Sequence, residues 1–195
     1  SDLWAFRYFE SIYDLEDKFY EPGSDLKNFR PEEVPGVWQN YGEDLHQYTN
    51  VRYPIPLDPP YVPLENPCGA YVRKFHYEKQ KEAPKAYLNF EGVDSCFYVW
   101  INGIYVGYSQ VSHATSEFDV TDVLTGTYLE DQDKFRMSGI FRDVYLLRRP
   151  KNSIYDYFTT TTVGRTEASV TVRANYIGEA VPVKITLYDR ENREA

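Results

Sequence analysis

From Trp4 to Tyr8 every second residue is aromatic, with Ala5 and Arg7 between. That period of two predicts a strand with one buried face, and the polar stretch that follows, ending at Pro22-Gly23, predicts surface coil. The segments AYVRKFHY (70–77) and KAYLNFEGV (85–93) alternate in the same way. CFYVWINGIYVGYSQ (96–110) predicts a hairpin about Asn102-Gly103, because both residues tolerate the positive φ of a type I′ turn. SEFDVTDVL (116–124) fits a further strand or a one-turn helix, and GIFRDVYLLRRP (139–150) a strand stopped by Pro150. Residues 32–65 are too rich in proline for a regular helix or a central strand, which predicts a long meander of the sort that often lines a binding site.

Many short strands separated by turn signals predict a β-sandwich or jelly roll. After Pro150 the stretches IYDYFTTTTV, ASVTVRANYI and VPVKITLYDREN predict three alternating strands, the beginning of a second sandwich. Three or four strands cannot close a sandwich, so this part is expected to be truncated and to leave its apolar face open. The expected division is residues 1–150 and residues 151–195.

With 195 residues the chain can bury a sizeable core. A net charge of −9 with no cluster of Lys and Arg argues against nucleic acid or an anionic membrane as partner. No apolar run is long enough to span a bilayer and no leader opens the chain, so the expectation is a soluble protein, cytoplasmic or periplasmic. Nineteen Tyr, eleven Phe and three Trp suit β-sheets first and sugar-stacking surfaces second. Cys68 and Cys96 fit neither a disulfide framework nor a metal spacing and are read as free thiols. His46, His76 and His113 are scattered and without metal spacing.

The densest negative charge lies at Glu130, Asp131 and Asp133, beside Lys134 and Arg136. Asp131-x-Asp133 lacks the glycine of a calcium-binding EF-hand loop. Such a cluster ordinarily solvates a loop or caps a helix, and an Asn before Pro, as at Asn66, ordinarily forms a turn. Arg136, Arg142 and Asp143 flank Ser138-Gly139, where an Arg–carboxylate fork would fix a tight turn. Trp38 and Trp100 could stack on a sugar, although Trp100, in a hairpin strand, reads more naturally as core.

Three stretches carry a family resemblance: YTNVRYPIPLDPPYVPLENPCGAYVRKF, FEGVDSCFYVWINGIYVGYSQVSHATSEFDVT and GTYLEDQDKFRMSGIFRDVYLLRRP. They resemble the amino-terminal region of the β-galactosidases of glycoside hydrolase family 2. The resemblance implies an all-β chain: a jelly-roll β-sandwich of the galactose-binding kind, followed by an incomplete immunoglobulin-like β-sandwich. It further implies a whole enzyme that hydrolyses terminal β-D-galactosides with retention through two glutamates on a (β/α)8 barrel, so no catalytic residue is expected in this chain. By the same resemblance, Asn66 and Asp133 reach the galactosyl unit, Asp133 also binds sodium, and Asp131, Arg136 and Arg142 support the loop. Sodium and magnesium ions, a galactoside substrate and a homo-oligomeric whole enzyme are implied alongside. Members of the family carry an additional strand where Leu124 here runs straight into Thr125, so a gap and unpaired edges are expected nearby. The alternative is a stand-alone carbohydrate-binding module without catalysis, or a domain that mainly mediates subunit contacts.

Overall fold

The computed structural model describes residues 2–15, 18–43, 58, 60–61, 63–124 and 133–193, the side chains of 2 and 133–138 excepted. Among the described residues there are eleven strands: β1 (Asp2–Phe9), β2 (Arg30–Val34), β3 (Cys68–Val72), β4 (Lys85–Phe90), β5 (Val93–Ile101), β6 (Ile104–Ser109), β7 (Ser116–Asp119), β8 (Asp133–Ile140), β9 (Val144–Arg149), β10 (Ser153–Val163) and β11 (Ala168–Ile177). They form a six-stranded sheet in the order β2-β1-β3-β8-β5-β6, a three-stranded sheet β7-β4-β9, and a separate pair β10-β11. Every named pairing is antiparallel. The chain is all-β, as its alternating pattern predicts.

The two larger sheets enclose one core. Trp4, Phe6, Tyr71, Phe97, Val99 and Ile101 come from the six-stranded sheet and Ala86, Leu88 and Phe90 from the smaller one. Alternation on β1 sends Trp4 and Phe6 inward, and the rings of Phe90 and Phe97 meet at 4.9 Å across the sandwich. Full burial of such a side chain contributes roughly 1.5–3 kcal/mol each. Pro31 stands in β2, an edge strand, where its missing N–H breaks no interior ladder.

Several elements differ from the sequence-based expectation. The stretch 10–29 is no solvated coil. A capping box at Ser11 starts a short 3-10 turn, Ile12–Asp14, after which Phe19, 3% exposed, packs with Leu15, Tyr20, Leu26 and Phe29. This layer covers Phe9, Cys68, Ala70 and Val72 on the outer face of the six-stranded sheet. Residues 32–34 belong to β2, and the meander expected from them resolves next into a 3-10 turn, Trp38–Tyr41, which plunges Trp38 into the core. Residues 44–57, 59 and 62 of that meander lie outside the described residues. The strand expected over 70–77 ends at Val72, and the segment 116–124 divides into β7 and a turn in which the Leu124 N–H reaches the Val120 carbonyl at 3.1 Å.

The largest difference concerns Ser138-Gly139. No turn occurs there: both residues lie inside β8, and the chain reverses at Phe141–Asp143 before β9. Gly139 has φ +125, and a Cβ on it would stand 2.2 Å from the Gly36 carbonyl oxygen. The glycine therefore serves close approach of two backbones, with the Gly36 N–H donating to the Ile140 carbonyl at 2.8 Å. The gap expected near Leu124 does not open the large sheet, because β8 fills the place between β3 and β5 and pairs with both. Cys68 and Cys96 both stand in register with Phe135 of that intervening strand. Two inter-strand spacings separate them by about 10 Å, beyond disulfide reach; neither forms a disulfide.

Beyond Pro150, β10 and β11 form a long hairpin, but residues 182–193 add no third strand to it. A strand needs a neighbour to satisfy its backbone, and the hairpin alone buries little. Phe158, Val163, Ile185 and Leu187 are all exposed.

Candidate functional site

Asp133 opens β8, in register with Ala70 of β3 on one side and Tyr98 of β5 on the other. The backbone of Asp133 is thus held between a strand on each side. Ala70, on the outer face of the six-stranded sheet, lies beneath the 10–29 layer, and Tyr98 lies beyond it.

Asn66 is placed differently. It precedes β3 and is 4% exposed. Its N–H donates to the Leu64 carbonyl at 3.1 Å, and its own carbonyl accepts the Ile12 N–H at 2.9 Å. Ser11 Oγ donates to the Leu64 carbonyl at 2.7 Å, so the two segments are tied together at both residues. Asn66 stands two residues ahead of β3, and within that strand Ala70 is in register with Asp133.

The other predicted residues divide as follows. Glu130 and Asp131 lie outside the described residues, as does His46, and for Arg136 only the backbone, within β8, is described. Arg142 lies in the turn after β8, with its guanidinium 5.7 Å from the Phe141 ring centre. Among the described residues no ion pair joins Arg142 to a carboxylate, and the fork expected about Ser138-Gly139 has no turn to lock. His76 lies 3.1 Å from the Glu78 carboxylate on the surface and His113 meets the edge of Phe141. Among the described residues no group of three His, Cys, Asp or Glu is arranged to hold a metal ion. The carboxylate at 133 is a hard oxygen donor of the kind sodium takes. No described helix is long and apolar enough to cross a membrane.

The two tryptophans exchange their expected places. Trp38 is wholly buried, with its indole N–H donating to the Tyr71 hydroxyl at 2.7 Å. Trp100 instead lies on the outer face, half-buried, with Tyr20 stacked on it at 4.9 Å. Around it stand Tyr98, Tyr105 and Tyr108. A bulge builds this group: Trp100 pairs with Tyr105 and Val99 with Gly107, leaving Val106 as an extra residue on β6. Without it, Tyr105 and Tyr108 would face opposite sides of the sheet. The alternation of Tyr98 and Trp100 is visible in the sequence; the bulge that recruits the other two is not. The Tyr108 hydroxyl donates to Gln110 Oε1 at 3.0 Å, and burial, helped by the neighbouring Cys96 thiol, pushes its pKa up to about 12.

Glu32 is the buried carboxylate of the sheet edge, 5% exposed. Burial raises its pKa, against the opposing pull of Arg30, whose Nε lies 3.3 Å away, and Glu43 and Glu33 add to the rise. Its folded state holds a proton more readily than the unfolded chain does. Any stability that follows from the neutral form is complete below the ordinary carboxylate range and is lost as pH rises through the elevated value. Glu32→Gln is therefore expected to raise the melting temperature at about pH 7.5, with the gain vanishing at about pH 4. A glutamine variant no more stable than the native chain at the higher pH would show that pairing with Arg30 outweighs burial.

The described fold and several stretches of sequence have counterparts. The chain is 50% identical over 170 residues to the β-galactosidase of Actinobacillus pleuropneumoniae, a match that covers 80% of this chain and 16% of that one. It is 42% identical over 208 residues to the β-galactosidase of Staphylococcus xylosus, covering 98% of this chain and 20% of the relative. The chain therefore spans a fifth or less of the length of these relatives. The second alignment is longer than the chain itself, so it includes positions at which the relative has residues and this chain has none. Among solved structures, a β-glucuronidase from an uncultured Clostridium superposes with a TM-score of 0.73 at 19% identity, over 98% of this chain and 35% of the other. A β-glycosidase from Bacteroides vulgatus superposes at 0.68 over 92% of this chain and 24% of its own, and at such identities the likeness is one of fold. Residues 1–126 match the family model described as the sugar binding domain of glycosyl hydrolases family 2, and on that match, which covers well over half its length, the chain belongs to this family.

Proposed function

We propose that the chain is the amino-terminal part of a retaining β-galactosidase, supplying sugar-binding residues to a site that a (β/α)8 barrel outside this chain completes. The observation that carries this reading is the 50% identity to a protein named β-galactosidase over most of the chain. The activity resides in the whole protein; this piece alone is expected to be inactive, since the two glutamates of the mechanism lie on the barrel. Residues 1–150 are the jelly-roll unit and residues 151–195 the start of an immunoglobulin-like unit, whose exposed apolar side chains support the view that further strands complete it.

Asp133 is the sugar contact. A carboxylate accepts hydrogen bonds from two sugar hydroxyls and can share a hard cation such as sodium with them. Its place on a strand held by neighbours on both sides supports that role. Asn66, whose backbone is tied to the Ser11–Ile12 turn, is the second residue that reaches the galactosyl unit. The whole enzyme is a homo-oligomer that uses sodium and magnesium, and its substrate is an uncharged galactoside, in keeping with the chain's net charge of −9.

The test is Asp133→Asn in the full-length enzyme. The expected result is a loss of roughly tenfold or more in kcat/KM for a nitrophenyl β-galactoside, which is the removal of one charge-assisted contact, with thermal unfolding unchanged. Native kinetics in a folded variant would remove Asp133 from the site. Turnover of a glucuronide in preference to the galactoside by the native enzyme would overturn the substrate assignment.

A further inference from the structure

The outer face of the β5–β6 hairpin carries a set of aromatic rings. Tyr98 lies 5.9 Å from Trp100, 6.5 Å from Tyr105 and 4.8 Å from Tyr108, centre to centre. Trp100 lies 5.7 Å from Tyr105, and Tyr20 stacks on Trp100 with 17° between the planes. The rings therefore make one continuous surface. It is accessible, with Tyr105 54% and Tyr108 42% exposed, and the 10–29 layer reaches only as far as Tyr20.

We infer that this surface is a stacking platform for a neutral, β-linked oligosaccharide, with Tyr105 and Tyr108 as its principal contacts. The chemistry of the rings selects that occupant. A pyranose has an apolar C–H face and a polar rim, and tyrosine and tryptophan match both with a broad ring and a polar tip. None of the five side chains is charged, so a charged ligand would lose its hydration without gaining a counter-ion. A second copy of this chain would bring together two molecules each carrying a net charge of −9. Gln110, held to the Tyr108 hydroxyl, adds two amide N–H donors at the rim for sugar hydroxyls. All five rings fall within residues 1–126, the segment matched as a sugar binding domain, whereas Asp133 falls outside it.

The identity of the sugar rests on the galactoside reading; the platform itself does not. The experiment is calorimetric titration of the full-length protein with thio-linked β-galactotetraose, which resists glycosidases, in excess galactose to fill any monosaccharide pocket. Cellotetraose is titrated in parallel. The native protein is expected to bind, and Tyr105→Ala with Tyr108→Ala to weaken binding by about fivefold or more, as the loss of two stacking contacts implies. Tyr105→Phe with Tyr108→Phe retains the rings and is expected to bind within about twofold of native, which separates stacking from mere disturbance of the hairpin. Binding of cellotetraose alone would uphold the platform and count against the galactoside reading. Absence of binding to either sugar, or native affinity in the double alanine variant, would overturn the platform and leave the Asp133 test untouched. A drop in oligomer size in that variant, without any sugar binding, would assign the face to a subunit contact instead.

Discussion

Trp38→Ala is expected to lower the stability of the sandwich by about 3–5 kcal/mol, as removal of a buried tryptophan does. Trp38 is 0% exposed and packs between Phe6 and Tyr8, with ring centres at 6.2 and 5.5 Å. It also supplies the N–H that the buried Tyr71 hydroxyl accepts. Urea unfolding can separate the two contributions. Trp38→Phe keeps most of the volume and loses the donor, so it should cost less, about 1–3 kcal/mol. Gly69 gives a sharper check, because a Cβ there would lie 2.5 Å from Trp38 Cζ2. Gly69→Ala should destabilise the native chain and cost less on the Trp38→Ala background, which removes the nearest contact and leaves Phe6 Cε2 at 2.9 Å from the new Cβ. Additive effects of the two would mean that Gly69 is glycine for some reason other than Trp38.

Gly139→Ala should be about as damaging, by roughly 3 kcal/mol or more, because it combines a positive φ with a collision against backbone. The atom that a new Cβ would strike is the Gly36 carbonyl oxygen, which cannot swing aside as a flexible side chain would. Relief requires that β8 and the Gly36–Trp38 segment separate, which breaks the bond between the Gly36 N–H and the Ile140 carbonyl and loosens the seat of Trp38. The measurement is again denaturant unfolding. A loss below about 1 kcal/mol would show that the contact relaxes easily and that β8 is not pinned at this point.

What the sequence disclosed was local. The alternation of Trp4, Phe6 and Tyr8 and the Asn102-Gly103 hairpin each follow from side-chain period and turn chemistry, and both are present, with φ of +52 and +80 at the hairpin tip. Where the outcome depended on a distant partner, local chemistry misled. Ser138-Gly139 has the composition of a turn, yet Gly139 is needed because the chain a hundred residues earlier lies against it. Trp38 sits among prolines and polar residues that suggest surface, and only Gly69, Phe6 and Tyr71 make it core. The third strand expected after Ile177 has the right pattern and no neighbour to pair with. The candidate site rests on resemblance alone: nothing in the local pattern distinguishes Asp133 from a solvated carboxylate.

The extra residue on β6 sets how the aromatic face can be lost. Each ring can be exchanged for another aromatic with the surface left whole, so the face tolerates drift in residue identity. It does not tolerate drift in length. Deleting one residue between Tyr105 and Tyr108 would restore strict alternation, turn one tyrosine inward against Phe118 and the core, and break the platform without altering a single ring. Among divergent homologues, the spacing between these two positions is therefore a better guide to a shared surface than the residues that occupy them.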